Sequence, residues 1–490
     1  MKLLYFMGCL FFAANSFAAP VVLQVESQSI MVNGKSVTIN TIRQLNGQWG
    51  YIGQQGDKFD VIVKNKLAES TVIHWHGLIL PNNQDGVSGL TQPFAIAPES
   101  EIHYQFPLVQ SGTYWMHSHY GLQAQSGVEA PLIIENQDDV NYQQVVVMFQ
   151  DFSFKTPEQI MSQLQPANQG CNSAHTMMGA MANTESNCKP VAEHSNHEND
   201  DSMDDMDMSE MDHGAMDMGS MDLNDVKYDA YLTNFHSPDQ AQIITVVPDK
   251  SIKLRFINGA MASNFWINLG KLKGTLIAVD GQAVKPLQGS KFELAMAQRA
   301  DIIVTLPKNT SVPILGQVEG LTAQTGVILT TSPKPKLTKL SSNSHEVAPA
   351  LNYSEELKLH STAKLATATD KTQIKMNLTG DMKSYQWQIN GQMWPNIQPL
   401  KVKQGQLVTM VIDNQSMMAH PIHLHGYTFK IVKINGKSVD GAMRDTVLVL
   451  PHSQVEVQFV ADQLGKWMLH CHTLYHMEGG MMTYLEVDKS

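Results

Sequence analysis

Four things are in short supply in this chain. Cysteine is one: there are four in 490 residues, and Cys9 lies in the leading apolar run. The other three leave room for at most one disulfide. Basic residues are a second. Lys and Arg number 34 against 46 Asp and Glu, a formal net charge of −12, which removes the electrostatic reason to expect a nucleic-acid partner. Long apolar runs are a third: beyond the leader none approaches the ~20 residues of a membrane-spanning helix, so no stable membrane insertion is expected. The fourth is a twin arginine in the leader, which points away from export in folded form. What the leader does have is Lys2, an apolar run over residues 3–14 and then Ser16-Phe17-Ala18. That is the layout of a Sec-type signal peptide cut after Ala18, and it predicts a periplasmic or secreted protein. Cys9 falls too early, inside the apolar core, to read as a lipid-attachment site.

Short alternating segments fill most of the rest, at 21–25, 59–63, 102–106, 144–149, 252–257, 402–412 and 455–460. Turn pairs such as Asn33-Gly34, Asp280-Gly281 and Asn435-Gly436 separate them. This is the pattern of an all-β chain built of sandwich domains, and the length suits three. Residues 121–128 (GLQAQSGV) echo residues 320–327 (GLTAQTGV). The first copy follows a histidine pair and the second does not, so a repeated domain without metal ligands is expected in the middle, as a spacer.

Four histidine-bearing stretches carry the chemistry. His470-Cys471-His472, followed by His476 and Met481, reads as a strand with His470 and His472 on one face and Cys471 on the other. A thiolate, an imidazole and a distant thioether are the donors of a blue-copper centre that needs one more His. The two imidazoles opposite would serve a second metal site. His74-Trp75-His76-Gly77 and His117-Ser118-His119 each place two imidazoles on one face, and His420-Pro421-Ile422-His423-Leu424-His425 adds three. Neutral imidazole suits copper. Of the ten His in these stretches, two given to Cys471 leave eight. That is the number a three-copper cluster takes when two coppers have three His each and the third has two.

At these residues the chain resembles the multicopper oxidases, over essentially its whole mature length and with the four motifs in the family's order. The resemblance implies three cupredoxin-like Greek-key β-sandwich domains and four copper ions. Type 1 copper would take His420, Cys471 and His476, with Met481 as weak axial ligand. Type 2 copper would take His74 and His423. One type 3 copper would take His76, His117 and His472, the other His119, His425 and His470. The implied layout is a signal peptide over 1–18, a first domain over 19–155 and a Met- and Asp-rich disordered insert over 156–224. A second domain without copper ligands follows over 225–340, and a third over 341–490, with the cluster between the first and third.

Reduction of O2 to water consumes protons, so carboxylates are expected near the cluster. Asp85, eleven residues after His74, matches the family's acid there, although Asp85-Gly86 is also a turn signal. Some relatives place a second acid directly after the last type 1 His; here Met477 takes that position and Glu478 follows. Met418 matches a methionine that holds substrate Cu(I) in the family's cuprous oxidases, and Met417 precedes it. Ser416 stands where such enzymes carry an Asp, and packing against the type 1 pocket is the plain alternative for both methionines.

The insert carries ten Met between Met177 and Met221, and ten Asp or Glu between Glu198 and Asp222 without one Lys or Arg. Thioethers suit Cu(I), so the segment reads as a copper-gathering loop, with a plain solvated linker as the alternative. Cys171 and Cys188 would pair in an oxidising compartment or, unpaired, bind copper. The reading is an exported oxidase that uses O2 and a one-electron donor, Cu(I) or a small phenol, in copper tolerance. A laccase-like phenol oxidase and a copper store or carrier are the rivals.

Overall fold

The computed structural model describes residues 19–165 and 223–490, and alternation turns into strands almost throughout. Lys58–Asn65 and Gln454–Val460 bury every second residue, so one face of each meets a core and the other is more open to water. The three turn pairs have φ between 47° and 76° at both residues, the left-handed geometry of a type I′ turn. Each closes a hairpin.

Among the described residues six sheets, taken two by two along the chain, build three β-sandwiches. Each begins with a long strand that runs parallel to a later one: Val21–Val32 beside Lys58–Asn65, Gln143–Phe152 beside Ser251–Asn258, and Lys371–Asp381 beside Leu407–Asn414. The threefold recurrence of that pairing is the structural counterpart of the sequence echo. Both echo copies turn at a left-handed glycine, Gly121 or Gly320, between neighbouring antiparallel strands.

Three expectations are corrected. Gln143–Phe152, assigned by sequence to the first domain, is hydrogen-bonded into the six-stranded sheet of the second. Its apolar alternation showed a strand but not which neighbour it would pair with. Residues 402–412 form two strands, Leu400–Lys403 and Leu407–Asn414, because the left-handed Gly405 breaks the run. Residues 157–164 belong to a helix rather than to disorder. Thr156 and Gln159 form its capping box and Pro157 opens it, the standard signals of a helix start. Leu223 and Asn224, from the far end of the same segment, are also in place, and Asn224 donates to the carbonyl of Glu319. The leader, the acidic methionine run and Cys171 and Cys188 lie outside the described residues.

The histidine strands sit where the first and third sandwiches meet. Ile73–His76 pairs with Gly112–Ser118, setting His74 opposite His117. His420–Leu424 pairs with Gly465–Cys471, setting His423 opposite His470. Ile73–His76 and His420–Leu424 are buried at every position, as strands sandwiched between two bodies must be.

Candidate metal centre

His420 and Cys471 come from neighbouring strands, and His476 from the short helix Leu474–Glu478. Cys471 Sγ lies 3.6 Å from His420 Nδ1 and 3.7 Å from His476 Nδ1. The three donors therefore converge on one buried point. Met481 is also buried, and its carbonyl accepts from the Cys471 amide while its own amide donates to the His476 carbonyl, at 3.1 and 3.0 Å. The outer nitrogens of both rings are held. Ser416 Oγ is 2.7 Å from His420 Nε2, and Asp225 Oδ2 is 2.5 Å from His476 Nε2. Tyr385 donates its hydroxyl to the same Asp225 oxygen at 2.6 Å. Burial pulls His476 towards the neutral form, but the Asp225 charge and contact outweigh it and push its pKa up to about 9.

On the other side of Cys471 the remaining eight imidazoles form one buried group. His76, His117 and His472 bring one nitrogen each within 4.8 Å of one another, as do His119, His425 and His470, and His74 and His423 converge with His76. Burial first, and then neighbouring rings, hold His76, His119, His423 and His425 well below the usual imidazole range. Burial brings His470 down to about 4. Neutral imidazole is the ligating form.

Most of the rings have one nitrogen tied to oxygen. His74 Nδ1 donates to the Asp85 carbonyl and His423 Nδ1 to the Asp445 carbonyl, both at 2.9 Å. His470 Nδ1 donates to the Cys471 carbonyl at 2.9 Å, and His425 Nδ1 to Asp85 Oδ2 at 2.9 Å. His76 Nε2 lies 3.2 Å from both Asp445 Oδ1 and Thr446 Oγ1. Left without a hydrogen-bond partner are His74 Nε2, His423 Nε2 and His76 Nδ1, together with both nitrogens of His119 and Nδ1 of His472. Several buried, unpartnered imidazole nitrogens close to one another would be a standing penalty in an apoprotein. One nitrogen fixed by oxygen and the other unpartnered, as in His74, His76 and His423, is the arrangement of a metal site with its supporting shell, so the donor set fits copper.

Asp85 and Gly86 are both turn and site. Gly86 has φ +81°, and a Cβ there would stand 1.9 Å from the Ile73 carbonyl oxygen. The tight turn thus carries the Asp85 carboxylate onto His425 and its carbonyl onto His74. Glu478 is buried with Oε1 unpartnered, and burial raises its pKa to about 7. The two methionines part company: Met418 is half-buried against the core, while Met417 is exposed.

Among the residues of the centre that went unmarked by sequence reasoning are Asp225, Asp445 and Arg299. Arg299 Nη1 donates to Asp445 Oδ1 at 2.8 Å, and its other Nη contacts Oδ2. Arg299 also lies 3.7 Å from Asp280, which in turn contacts Arg444 at 3.2 Å. Arg299 and Asp280 belong to the middle sandwich, so that domain is more than a spacer. It holds the carboxylate that holds His76. An arginine and an aspartate 146 residues apart give no local sequence signal of such a contact.

A cysteine-and-histidine pocket joined by one tripeptide to an eight-imidazole cluster, between cupredoxin-like sandwiches, defines a copper oxidoreductase. The comparisons agree. Family profiles described as multicopper oxidase match residues 23–139, 144–312 and 367–490. Multicopper oxidase MmcO of Mycobacterium tuberculosis is 30% identical over 88% of this chain and 79% of that protein. A copper resistance protein A homolog of Pseudomonas syringae pv. tomato is 28% identical over 89% and 87%. The solved structure of Fet3p, a multicopper oxidase that functions in iron import, superposes with a TM-score of 0.72 at 18% identity, covering 95% of this chain and 90% of that one. The chain belongs to the multicopper oxidase family, whose members take one type 1, one type 2 and two type 3 coppers.

Proposed function

We propose that this oxidase withdraws electrons singly from Cu(I) and uses them to reduce O2 to water, as an exported enzyme of copper tolerance. Four Cu(I) and four protons convert one O2 into two waters and four Cu(II). The carrying observation is the tripeptide: Cys471 faces one donor pocket while His470 and His472, its covalent neighbours, belong to the other. In this reading His420, Cys471, His476 and Met481 would hold type 1 copper, and His74 and His423 would hold type 2. His76, His117 and His472 would hold one type 3 copper, and His119, His425 and His470 the other. Bound there, copper supplies one-electron chemistry at the thiolate and four-electron chemistry at the cluster.

The chain supplies route, protons and shelter. His470 is joined to Cys471 by a peptide bond and also by the hydrogen bond from its Nδ1 to the Cys471 carbonyl, a short path between pockets. Asp85, on His425 and His74, is the carboxylate placed to pass protons, with buried Glu478 as a second. Cu(I) is favoured over a phenol because His420 and His476 are only 0% and 1% exposed, which keeps an aromatic ring off both imidazoles. The exposed thioether of Met417 lies three residues before His420, and the acidic methionine run would concentrate Cu(I). A relative named copper resistance protein A, from Escherichia coli, points the same way, while one named Laccase-1, from Thanatephorus cucumeris, keeps the phenol in the test. O2 uptake by the copper-loaded chain should be at least tenfold more efficient with Cu(I) than with a phenol. A preference for the phenol would overturn the assignment, and no uptake with any donor would make the protein a copper carrier.

A further inference from the structure

A cavity of about 500 Å3 opens where the first and second sandwiches meet. That is the volume of a small-molecule site, in a usual place for one. Ile39 and Glu129 line it from the first sandwich, and Gln150, Asp151, Phe235 and Gly259 from the second. The charged residues of the lining are Glu69, Glu129, Asp151 and Glu158 against Lys155, so the cavity favours a positive charge. Its two buried carboxyls differ in what they lack. Asp151 is filled: its oxygens take the Gln125 side chain and the Met261 amide at 3.1 Å, the Ala262 amide at 2.9 Å and the Ser263 hydroxyl at 3.0 Å. Glu129, 2% exposed, is not. Its Oε1 accepts from the Gln150 side chain at 2.8 Å, while its Oε2 has no donor among the described residues. That oxygen stands beside Gly259, where a Cβ would come within 2.6 Å of it. A buried carboxyl oxygen without a donor calls for an explanation, and an occupant of the cavity supplies one.

We propose that this cavity binds a primary alkylammonium, with the head on Glu129 Oε2 and the carbon stem along Ile39, Leu232 and Phe235. The three side chains are buried and apolar, and an ammonium carries the N–H donors that Oε2 lacks. Its charge also offsets the burial that raises the Glu129 pKa well above the usual carboxylate range, because an opposite charge favours the ionised form. A metal ion suits the place less well. Glu129 falls in none of the groups of three or more His, Cys, Asp or Glu donors that converge among the described residues. Gln150 is held in turn, accepting the Phe235 amide at 2.8 Å, so the end of the cavity that meets the head is set before the ligand arrives. The inference stands apart from the choice of electron donor.

The test uses the full copper-loaded chain. Isothermal titration calorimetry compares n-butylammonium with n-butanol, which has the stem without the charge, and with methylammonium, which has the head without the stem. Butylammonium should bind at least tenfold more tightly than either. Glu129→Gln keeps the shape of the side chain and should abolish the preference for the amine over the alcohol. A crystal of the unaltered chain grown with butylammonium should place its nitrogen within hydrogen-bond distance of Glu129 Oε2, which depends on no variant folding. Equal affinity for amine and alcohol, a preference that survives Glu129→Gln, a nitrogen bound elsewhere, or no binding of any of the three would overturn the proposal. Each of these outcomes leaves the Cu(I) assignment to its own test by O2 uptake.

Discussion

Asp85 meets two demands with one backbone turn. Its carbonyl fixes the tautomer of His74, and its carboxylate reaches His425. Asp85→Asn keeps the shape and an oxygen for His425 but removes the site that takes up a proton. Reoxidation of the fully reduced protein by O2 should slow by about 100-fold, the lower end of what a positioned acid or base contributes. Anaerobic reduction of type 1 copper should change far less. Single-turnover stopped-flow absorption separates the two phases, and equal slowing of both would remove Asp85 from proton handling. Asp85 was suggested by the resemblance to the multicopper oxidases, and the histidine pairs by their spacing, because each pair lies within a few residues. Asp225 could not. It lies just past a polar run, and only the folded chain brings it to His476.

The strands were readable wherever one face is wet, because alternation then marks them. Their partners were not, which is why Gln143–Phe152 was placed in the wrong sandwich. Nor was the element that joins the middle and last sandwiches visible. Strand Lys291–Leu294 carries Glu293, which faces Glu355 at the edge of the 3-10 turn Glu356–Lys358. The Glu293 amide donates to Glu355 Oε2 at 3.1 Å. Burial and then the Glu355 charge, with smaller pushes from Glu356 and Glu319, raise Glu293 to about 8. Glu355, raised mainly by burial and partly relieved by Arg444 and Lys358, stands at about 7. Between the unfolded value near 4.5 and about 8 the folded chain binds more protons than the unfolded one. Stability therefore falls as pH rises through this window, the reverse of an ordinary ion-paired carboxylate. Glu293→Gln should flatten that slope and raise stability at pH 8 by on the order of 1–2 kcal/mol, allowing for solvent screening. Melting temperatures at pH 5, 6.5 and 8 decide it; parallel curves for the two proteins would refute it.

Three sandwiches are needed although the clustered histidines come from two. The middle one contributes Arg299, wholly buried, whose guanidinium spans Asp445 and Asp280 and whose Nε donates to the Thr113 carbonyl at 3.1 Å. One side chain thus touches all three sandwiches, directly behind the His76 and His423 rings. Removing one partner of such a buried pair leaves an uncompensated charge and costs about 3–5 kcal/mol. Arg299→Met should therefore lower the unfolding free energy of the metal-free chain by that amount, read by urea denaturation. It should also reduce copper bound per chain, since Asp445 would no longer be held against His76. Asp445→Asn alone strips the same contact from the other side. The two losses should not add in the double variant, with a coupling of about 1–3 kcal/mol. Simple additivity would mean that Arg299 supports its own sandwich only, and that the cluster is shaped by the outer two.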